Sequence, residues 1–513
     1  MRSTRFATAG LIRLLCALGL VAGLMAALAT GASATKTPEV EEVTQGTCPE
    51  QAELNEIGAT TTKCFHHIQE AVEASKKNAW VLITPGVYNE EVKVKGKSHD
   101  GLHIRGMNRN TVILDGTGLQ NPKGSNGVEI GETHGSKSEI TDDVTVENMT
   151  ARNFEQEPEG PGGNAFWWSG GDETGKVGGR GWWGRYLTAY DTGLYGSYGI
   201  FTNNMIEGEW EKIYASGYDD SGMYLGACQE CQAKIIEPVM ENNQLGYSGS
   251  NSGGSLLIEG GIFRRNSSGV APNGENPGDG PPVQDGQCNH DPKNKKPKKG
   301  WLPEFTTTNI ARCTIIRHNL ITENNNNSTP ATGSAEGAPF GAGVELPGDY
   351  GDLVEENTIT DNASDGVLAF EYPNPFPPTS ETIYFQNSGN KVAKNVLSGN
   401  GTLGMNPKFE GDIAFEGGVF KEKSVDNCFS GNTYSGNTYP APSELETTWG
   451  CQNATTPNFI TLANASEGTE FIDYLLALQE HSENRTREPQ AAPPAQETMS
   501  NPCREVPVTP LCP

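Results

Sequence analysis

Seven ten-residue windows of this chain align without gaps, and every one ends in asparagine. They are 144–153, 234–243, 257–266, 315–324, 353–362, 391–400 and 423–432, closing on Asn153, Asn243, Asn266, Asn324, Asn362, Asn400 and Asn432. Their sixth and seventh positions are mostly apolar, as in Val239-Met240, Ile262-Phe263, Leu320-Ile321, Val396-Leu397 and Cys428-Phe429. The fifth is a further asparagine at Asn148, Asn319, Asn357, Asn395 and Asn427. A short apolar strand, a turn at a fixed Asn and another short strand, recurring every twenty-odd residues, is the pattern of a solenoid. One coil cannot bury its inward side chains alone; stacking coils at about 4.8 Å makes one continuous core. Asn is expected to serve the turn twice, by tolerating the left-handed backbone and by bonding its amide to the Asn of the next coil. With 63 Gly, only 35% hydrophobic residues and no sustained 3.6-residue period, the chain suits many short strands better than helices.

The N-terminal side carries its own signal. Residues 65–76 read as an amphipathic helix with Phe65, Ile68 and Val72 on one face, followed by Trp80-Val81-Leu82-Ile83-Thr84-Pro85-Gly86-Val87-Tyr88. A helix, an apolar strand and Pro-Gly-x-Tyr resemble the opening of the pectate-lyase-like superfamily of right-handed parallel β-helix proteins. The Asn-ended windows resemble that superfamily's parallel β-helix repeats, and the resemblance covers 63–440. It implies an all-β, right-handed parallel β-helix solenoid whose N-terminal helix plugs the first coil, since an open end would bury nothing and template aggregation. It does not choose a function: the superfamily holds lyases, hydrolases, esterases, epimerases and adhesins.

The expected organisation is a signal peptide at 1–34, an N-terminal extension at 35–62, the solenoid at 63–440, a helical cap at 441–487 and a Pro-rich tail with a terminal disulfide loop at 488–513. Arg2, Arg5 and Arg13 precede an apolar run, and Ala32-Ser33-Ala34 supplies small residues for cleavage. Cys16 lies inside that run rather than just behind it, which argues against a lipid anchor. The other ten cysteines fall into close couples: Cys48/Cys64, Cys228/Cys231, Cys288/Cys313, Cys428/Cys451 and Cys503/Cys512. In a secreted, extracellular chain these read as five local disulfides. A metal or redox use of Cys228-Gln229-Glu230-Cys231 would need a second Cys pair, paired His or a βαβ setting, and none is present. The apolar residues of 470–482 recur at helical spacing and suit a helix docked on the solenoid.

Loss of the three leader arginines takes the formal charge from −27 to −30. So acidic a chain excludes nucleic acid and anionic membranes as partners, and disfavours bare electrostatic capture of a polyuronate. Residues 164–220 hold five of the eight Trp. Trp167, Trp168, Trp182, Trp183, Trp210 and Tyr218 are therefore the candidate sugar-stacking residues, because aromatic faces pack on the apolar faces of sugar rings. Asp191, Asp219 and Asp220, in the same stretch, are the candidate acid/base carboxylates. The Asp-Asp is similar to that of polygalacturonase-type hydrolases, but the Gly-His-Gly and Arg-x-Lys of that pattern are missing. The Asp-Pro-His of alginate epimerases is missing too. Calcium, which lyases of this fold bind through acids, has no set of positions that can be singled out, and no cofactor is called for. Two functions follow: a monomeric secreted protein that binds a polysaccharide and cleaves or epimerises it, or a non-catalytic extracellular binding or adhesive rod.

Overall fold

Each coil carries three short strands. In the coil containing 234–243 they are Ala233–Ile236, Val239–Glu241 and Leu245–Ser250. They pair in parallel with Leu256–Glu259, Ile262–Arg264 and Ser268–Asn273 of the next coil. Repetition of this unit makes a right-handed parallel β-helix with three faces, seen in a computed structural model. The structure describes residues 37–131, 138–157, 162–171, 178–228, 231–274, 313–331, 334–373, 384–385, 387–416, 427–451 and 465–513. The expected leader lies outside the described residues. The chain divides after Pro38, and the solenoid occupies the unit Glu39–Pro513. Its third face is an 11-stranded sheet; the first two join into one 22-stranded network, bridged where Val144–Arg152 and Gly179–Tyr190 run through the turn as continuous strands.

Strand alternation builds the core. Ile235, Ile258, Ile316, Val354, Val392 and Phe429 occupy one inward column of the first face and are all buried. Each such side chain contributes about 1.5–3 kcal/mol of burial.

The turns are held by stacked amides. At the first turn Asn319 Nδ2 donates to Asn357 Oδ1, Asn357 to Asn395 and Asn395 to Asn432, each at 3.0 Å. At the second turn the chain of donors runs Asn243, Asn266, Asn324, Asn362, Asn400 at 2.9–3.1 Å, and Asn400 ends it on Asp412 Oδ1 at 2.9 Å. The second Nδ2 hydrogen of each goes to a main-chain carbonyl, as from Asn362 to Ile321 O. A glycine column packs under the second ladder. A Cβ on Gly343 would sit 2.8 Å from Asn362 Nδ2, and one on Gly366 2.9 Å from Asn400 Nδ2.

Three expectations about the repeat need correction. The ladder asparagines are not the left-handed residues: positive φ falls one position earlier, at His318, Glu323, Glu356, Asp361, Lys394 and Gly399. Window 423–432 is displaced by five residues, because Lys391 pairs with Cys428. Asn432 therefore extends the first ladder, and Asn427 instead accepts from Asn390 N–H. The two ladders lie five residues apart in sequence, so an alignment on Asn alone cannot tell them apart. Window 144–153 is displaced by one, since Val144 stacks through Trp182 and Gly208 on Ala233. Asn148 and Asn153 accordingly take the left-handed positions.

Helices pack on the first coils and along the third face. The capping helix spans Ile68–Ala74 and buries Ile68, Ala71 and Val72, whereas Phe65 belongs to the strand Thr62–Phe65. Within 35–62, the strand Val40–Val43 pairs with both Thr62–Phe65 and Trp80–Ile83, so this stretch builds the first sheet. The helix Ala465–Asn484 lays Phe471, Tyr474 and Leu478 on Ala342, Leu368, Phe370, Phe409 and Ala414 of the third face. The Pro-rich tail beyond it returns to the first coils. Thr498 Oγ1 and Met499 N–H donate to Asn148 Oδ1 at 2.7 and 2.9 Å, and Leu511 N–H donates to Glu42 at 3.2 Å.

Four of the five expected cysteine couples are disulfides: Cys48–Cys64, Cys228–Cys231, Cys428–Cys451 and Cys503–Cys512. The expected couple Cys288/Cys313 differs from these, because only one of its members is described. Cys313 is fully buried, with Tyr350 packed against it, and it too is disulfide-bonded. Cys288 lies outside the described residues, so the partner of Cys313 stays an expectation from sequence spacing. Mass mapping of the non-reduced protein should join the peptides carrying Cys288 and Cys313; any other partner for Cys313 would overturn that couple.

Asn362→Leu removes a fully bonded buried amide without touching a left-handed residue. It should cost about 3 kcal/mol or more, at roughly 1–3 kcal/mol per orphaned partner, and lower the urea midpoint. Asn325→Leu, one residue past the ladder and exposed, should stay within about 0.5 kcal/mol of the parent. Equal midpoint shifts would refute the ladder.

A further expectation concerns pH. Burial pushes the Glu345 carboxyl from 4.5 up to about 8. Folded Glu345 is thus neutral where the unfolded chain ionises it. The stability it contributes is complete below about pH 4.5 and is lost as pH rises through about 8. Thermal unfolding should show Glu345→Gln matching the parent at pH 4 and exceeding it at pH 9; parallel curves would contradict the burial of this group.

Candidate functional site

On the first face, outward positions stack coil upon coil. One column runs Trp80, His103, Thr145, Trp183, Glu209, and the next runs Leu82, Arg105, Glu147, Arg185, Glu211. At about 4.8 Å per coil, His103 to Glu209 spans about 14 Å along the axis. Around these positions lies a cleft of about 430 Å³, lined by His103, Arg105, Asp143, Thr145, Trp183, Arg185 and Glu209, with Asn78 and Gly101 at one edge. Glu505 of the tail lines it as well.

Ion pairing holds the cleft floor. Glu147, fully buried, takes Arg105 on one oxygen at 2.6 Å and Arg185 on the other at 2.5 Å. Burial works against the Arg185 guanidinium, yet the surrounding carboxylates, Glu147 foremost with Glu211 and Glu505, together hold that group above its ordinary pKa. Arg105 also lies over the Trp80 ring at 4.6 Å and donates to the carbonyls of Pro502 and Arg504 at 3.0 and 2.7 Å. His103 stacks on Trp80 with centroids 4.1 Å apart. Burial lowers its pKa against the opposing pull of Glu147. Its Nδ1 is buried with no hydrogen-bond partner among the described residues. With two guanidiniums, Glu147 below and Asp143, Glu209 and Glu505 on the rim, the formal charge around the cleft is −2.

The sequence-predicted aromatics separate. Neighbouring residues in a strand point to opposite sides, so each Trp-Trp pair is split. Trp168, Trp182, Trp210 and Tyr218 face inward and are fully buried or nearly so; they fill the core instead of lining a cleft. Trp182 and Trp210 pack with centroids 4.7 Å apart, and Gly208 leaves room for the Trp182 ring, which a Cβ would meet at 2.0 Å. Trp183 reaches the first-face cleft. Trp167 lies outward on the third face, stacked on Phe201 at 5.3 Å, so these two belong to different surfaces.

The carboxylate candidates sit in the turns leading to the third face, away from the cleft. Asp191, Asp219 and Asp220 are 1%, 0% and 3% exposed. Asp191 accepts the N–H groups of Gly193 and Gly196 at 3.1 and 3.0 Å; burial still pushes its carboxyl up to about 6. Asp219 accepts from Gln156 Nε2, and Asp220 from the Tyr198 hydroxyl at 3.0 Å. Among the described residues no group of three or more His, Cys, Asp or Glu could hold a metal ion, and no helix is long and apolar enough to cross a membrane.

His103, Arg105, Glu147, Arg185, Glu209 and Glu505 were not singled out from sequence. The alternation Val144-Thr145-Val146-Glu147 carried a signal for two outward columns; nothing local marked Glu505.

No known family profile and no curated protein matches the chain. Among solved structures it is similar to the A-module of a mannuronan C-5 epimerase of Azotobacter vinelandii, with 15% identity and a TM-score of 0.42, over 71% of this chain and 90% of that one. A tailspike protein of E. coli bacteriophage HK620 gives 12% identity and a TM-score of 0.42 over 74% of this chain, which spans 61% of the tailspike chain. An alginate lyase from Paenibacillus sp. gives 10% identity and a TM-score of 0.30, over 73% and 93%.

Arg105→Ala would leave Glu147 buried with one partner and strip two hydrogen bonds from the tail. Loss of one partner of a buried pair costs about 3–5 kcal/mol. Denaturant unfolding should show a loss of that size, and limited proteolysis should cut within 488–513 faster than in the parent. An unchanged digestion pattern would mean that Arg105 does not hold the tail.

Proposed function

We propose that this is a secreted protein that binds an extended, uncharged polysaccharide along the first-face cleft. The observation that carries the reading is Trp183, held outward in a cleft of about 430 Å³ between side chains that can hydrogen-bond sugar hydroxyls. An aromatic face for the ring and polar groups around its rim are what a glycan subsite requires. The net negative charge around the cleft disfavours a polyuronate, because each bound carboxylate would meet Glu209, Asp143 or Glu505. The four described disulfides suit an oxidising compartment.

Cleavage or epimerisation by Asp191, Asp219 and Asp220 is the second reading. One observation favours it: a carboxyl at about 6, as at Asp191, is tuned for proton transfer near neutrality. Against it stand the burial of all three groups and their bonds within the turns.

Purified protein screened against neutral, acidic and amino-sugar oligosaccharides should bind the neutral class. Trp183→Ala should weaken that binding about tenfold, or about 1.4 kcal/mol. Product release that disappears in Asp219→Asn with Asp220→Asn would favour the second reading; preferred binding of the acidic class would defeat the first.

A further inference from the structure

The tail reaches the cleft through contacts made nearly 400 residues away in sequence. Arg105 donates to the carbonyls on both sides of Cys503, those of Pro502 and Arg504, and Glu505 follows directly. The loop is closed by Cys503–Cys512. Cys503, Val506, Leu511 and Cys512 pack on Val40, Trp80, Leu82 and Met107, so its apolar side is buried against the first coils. Within this clamped loop Glu505 adopts φ +69°, a left-handed backbone that L-residues rarely take. Glycine would adopt it without strain, yet the position carries a carboxylate. That carboxylate stands on the cleft wall with an exposed side chain, 3.4 Å from the exposed guanidinium of its neighbour Arg504. A surface pair of this kind contributes little to holding a loop. Backbone strain held in place by surrounding contacts gathers where a side chain must be aimed.

We propose that Glu505 is a specificity-determining residue of the cleft, delivered by the disulfide loop to accept hydrogen bonds from sugar hydroxyls opposite Trp183, so that the binding site is incomplete without the tail. The proposal rests on the glycan-binding reading above. It goes further by assigning one wall of the subsite to a segment outside the solenoid. Glu505 lines the same cleft as Asp143 and Glu209, and a carboxylate bonds hydroxyls more strongly than a neutral group does.

The test uses the full-length protein, the neutral oligosaccharide that binds best, and three variants. Glu505→Gln keeps the shape of the side chain, and Glu505→Gly relieves the left-handed strain while deleting the carboxylate. Both should weaken binding about tenfold, the size of one charge-assisted hydrogen bond. Glu505→Gly should at the same time melt no lower than the parent. A purely structural residue would behave otherwise, with binding following melting temperature. Trp183→Ala separates the two levels. If it weakens binding while both Glu505 variants bind like the parent, the inference falls and the glycan reading stands. If Trp183→Ala binds like the parent, or the parent binds no glycan, both fall.

Discussion

Stacked side-chain amides at the turns are what the remainder of this fold depends on. Asn357 shows the arrangement in full. Its Nδ2 donates to Asn395 Oδ1 and to Ile316 O, and its own Oδ1 accepts from Asn319 Nδ2 and Asn319 N–H. Every polar atom of the buried amide has a partner, so the group repays its desolvation and leaves no alternative bond to make. Because each Asn also bonds the main chain of its neighbours, a slip of one residue would break the whole column. The ladders thereby set the register that puts each inward side chain inside and each outward one outside.

Register, in turn, creates the site. The outward columns on the first face place groups from successive coils beside one another although they are far apart in sequence: His103, Thr145, Trp183 and Glu209 in one column, Arg105, Glu147 and Arg185 in the next. Glu147 has no exposure and two guanidiniums, an arrangement in which each charge is tolerated only because the others are present. The aromatic surplus of 164–220 divides by the same alternation. Trp168, Trp182 and Trp210 fill the cross-section of wide coils, and Trp183 and Trp167 remain for two separate surfaces.

The tail links the end of the chain to its beginning. Its contacts satisfy groups that the solenoid leaves open at its N-terminal end. Asn148, in a left-handed position, has no following ladder amide and instead accepts from Thr498 and Met499. Leu511 bonds Glu42, and Cys512 covers Trp80 and Leu82. Outward apolar and aromatic surface of the first coils is thus covered by the chain itself.

The solenoid, its approximate coil spacing, a short N-terminal helix and four of the disulfides were legible in the sequence because each rests on local information: an Asn every coil, apolar alternation over four residues, cysteines near their partners. The same locality explains the errors. Asn at two turns five residues apart made window 423–432 align on the wrong ladder, and composition alone pointed to Trp182, which the strand turns into the core. By itself the sequence determined that the chain must coil and stack. Which face carries the cleft, which of two adjacent tryptophans reaches it, and that Glu505 stands opposite residues near position 100 were decided only in the tertiary structure. Those placements depend on register between coils and on one long-range return of the chain, and neither leaves a periodic mark in the residues involved.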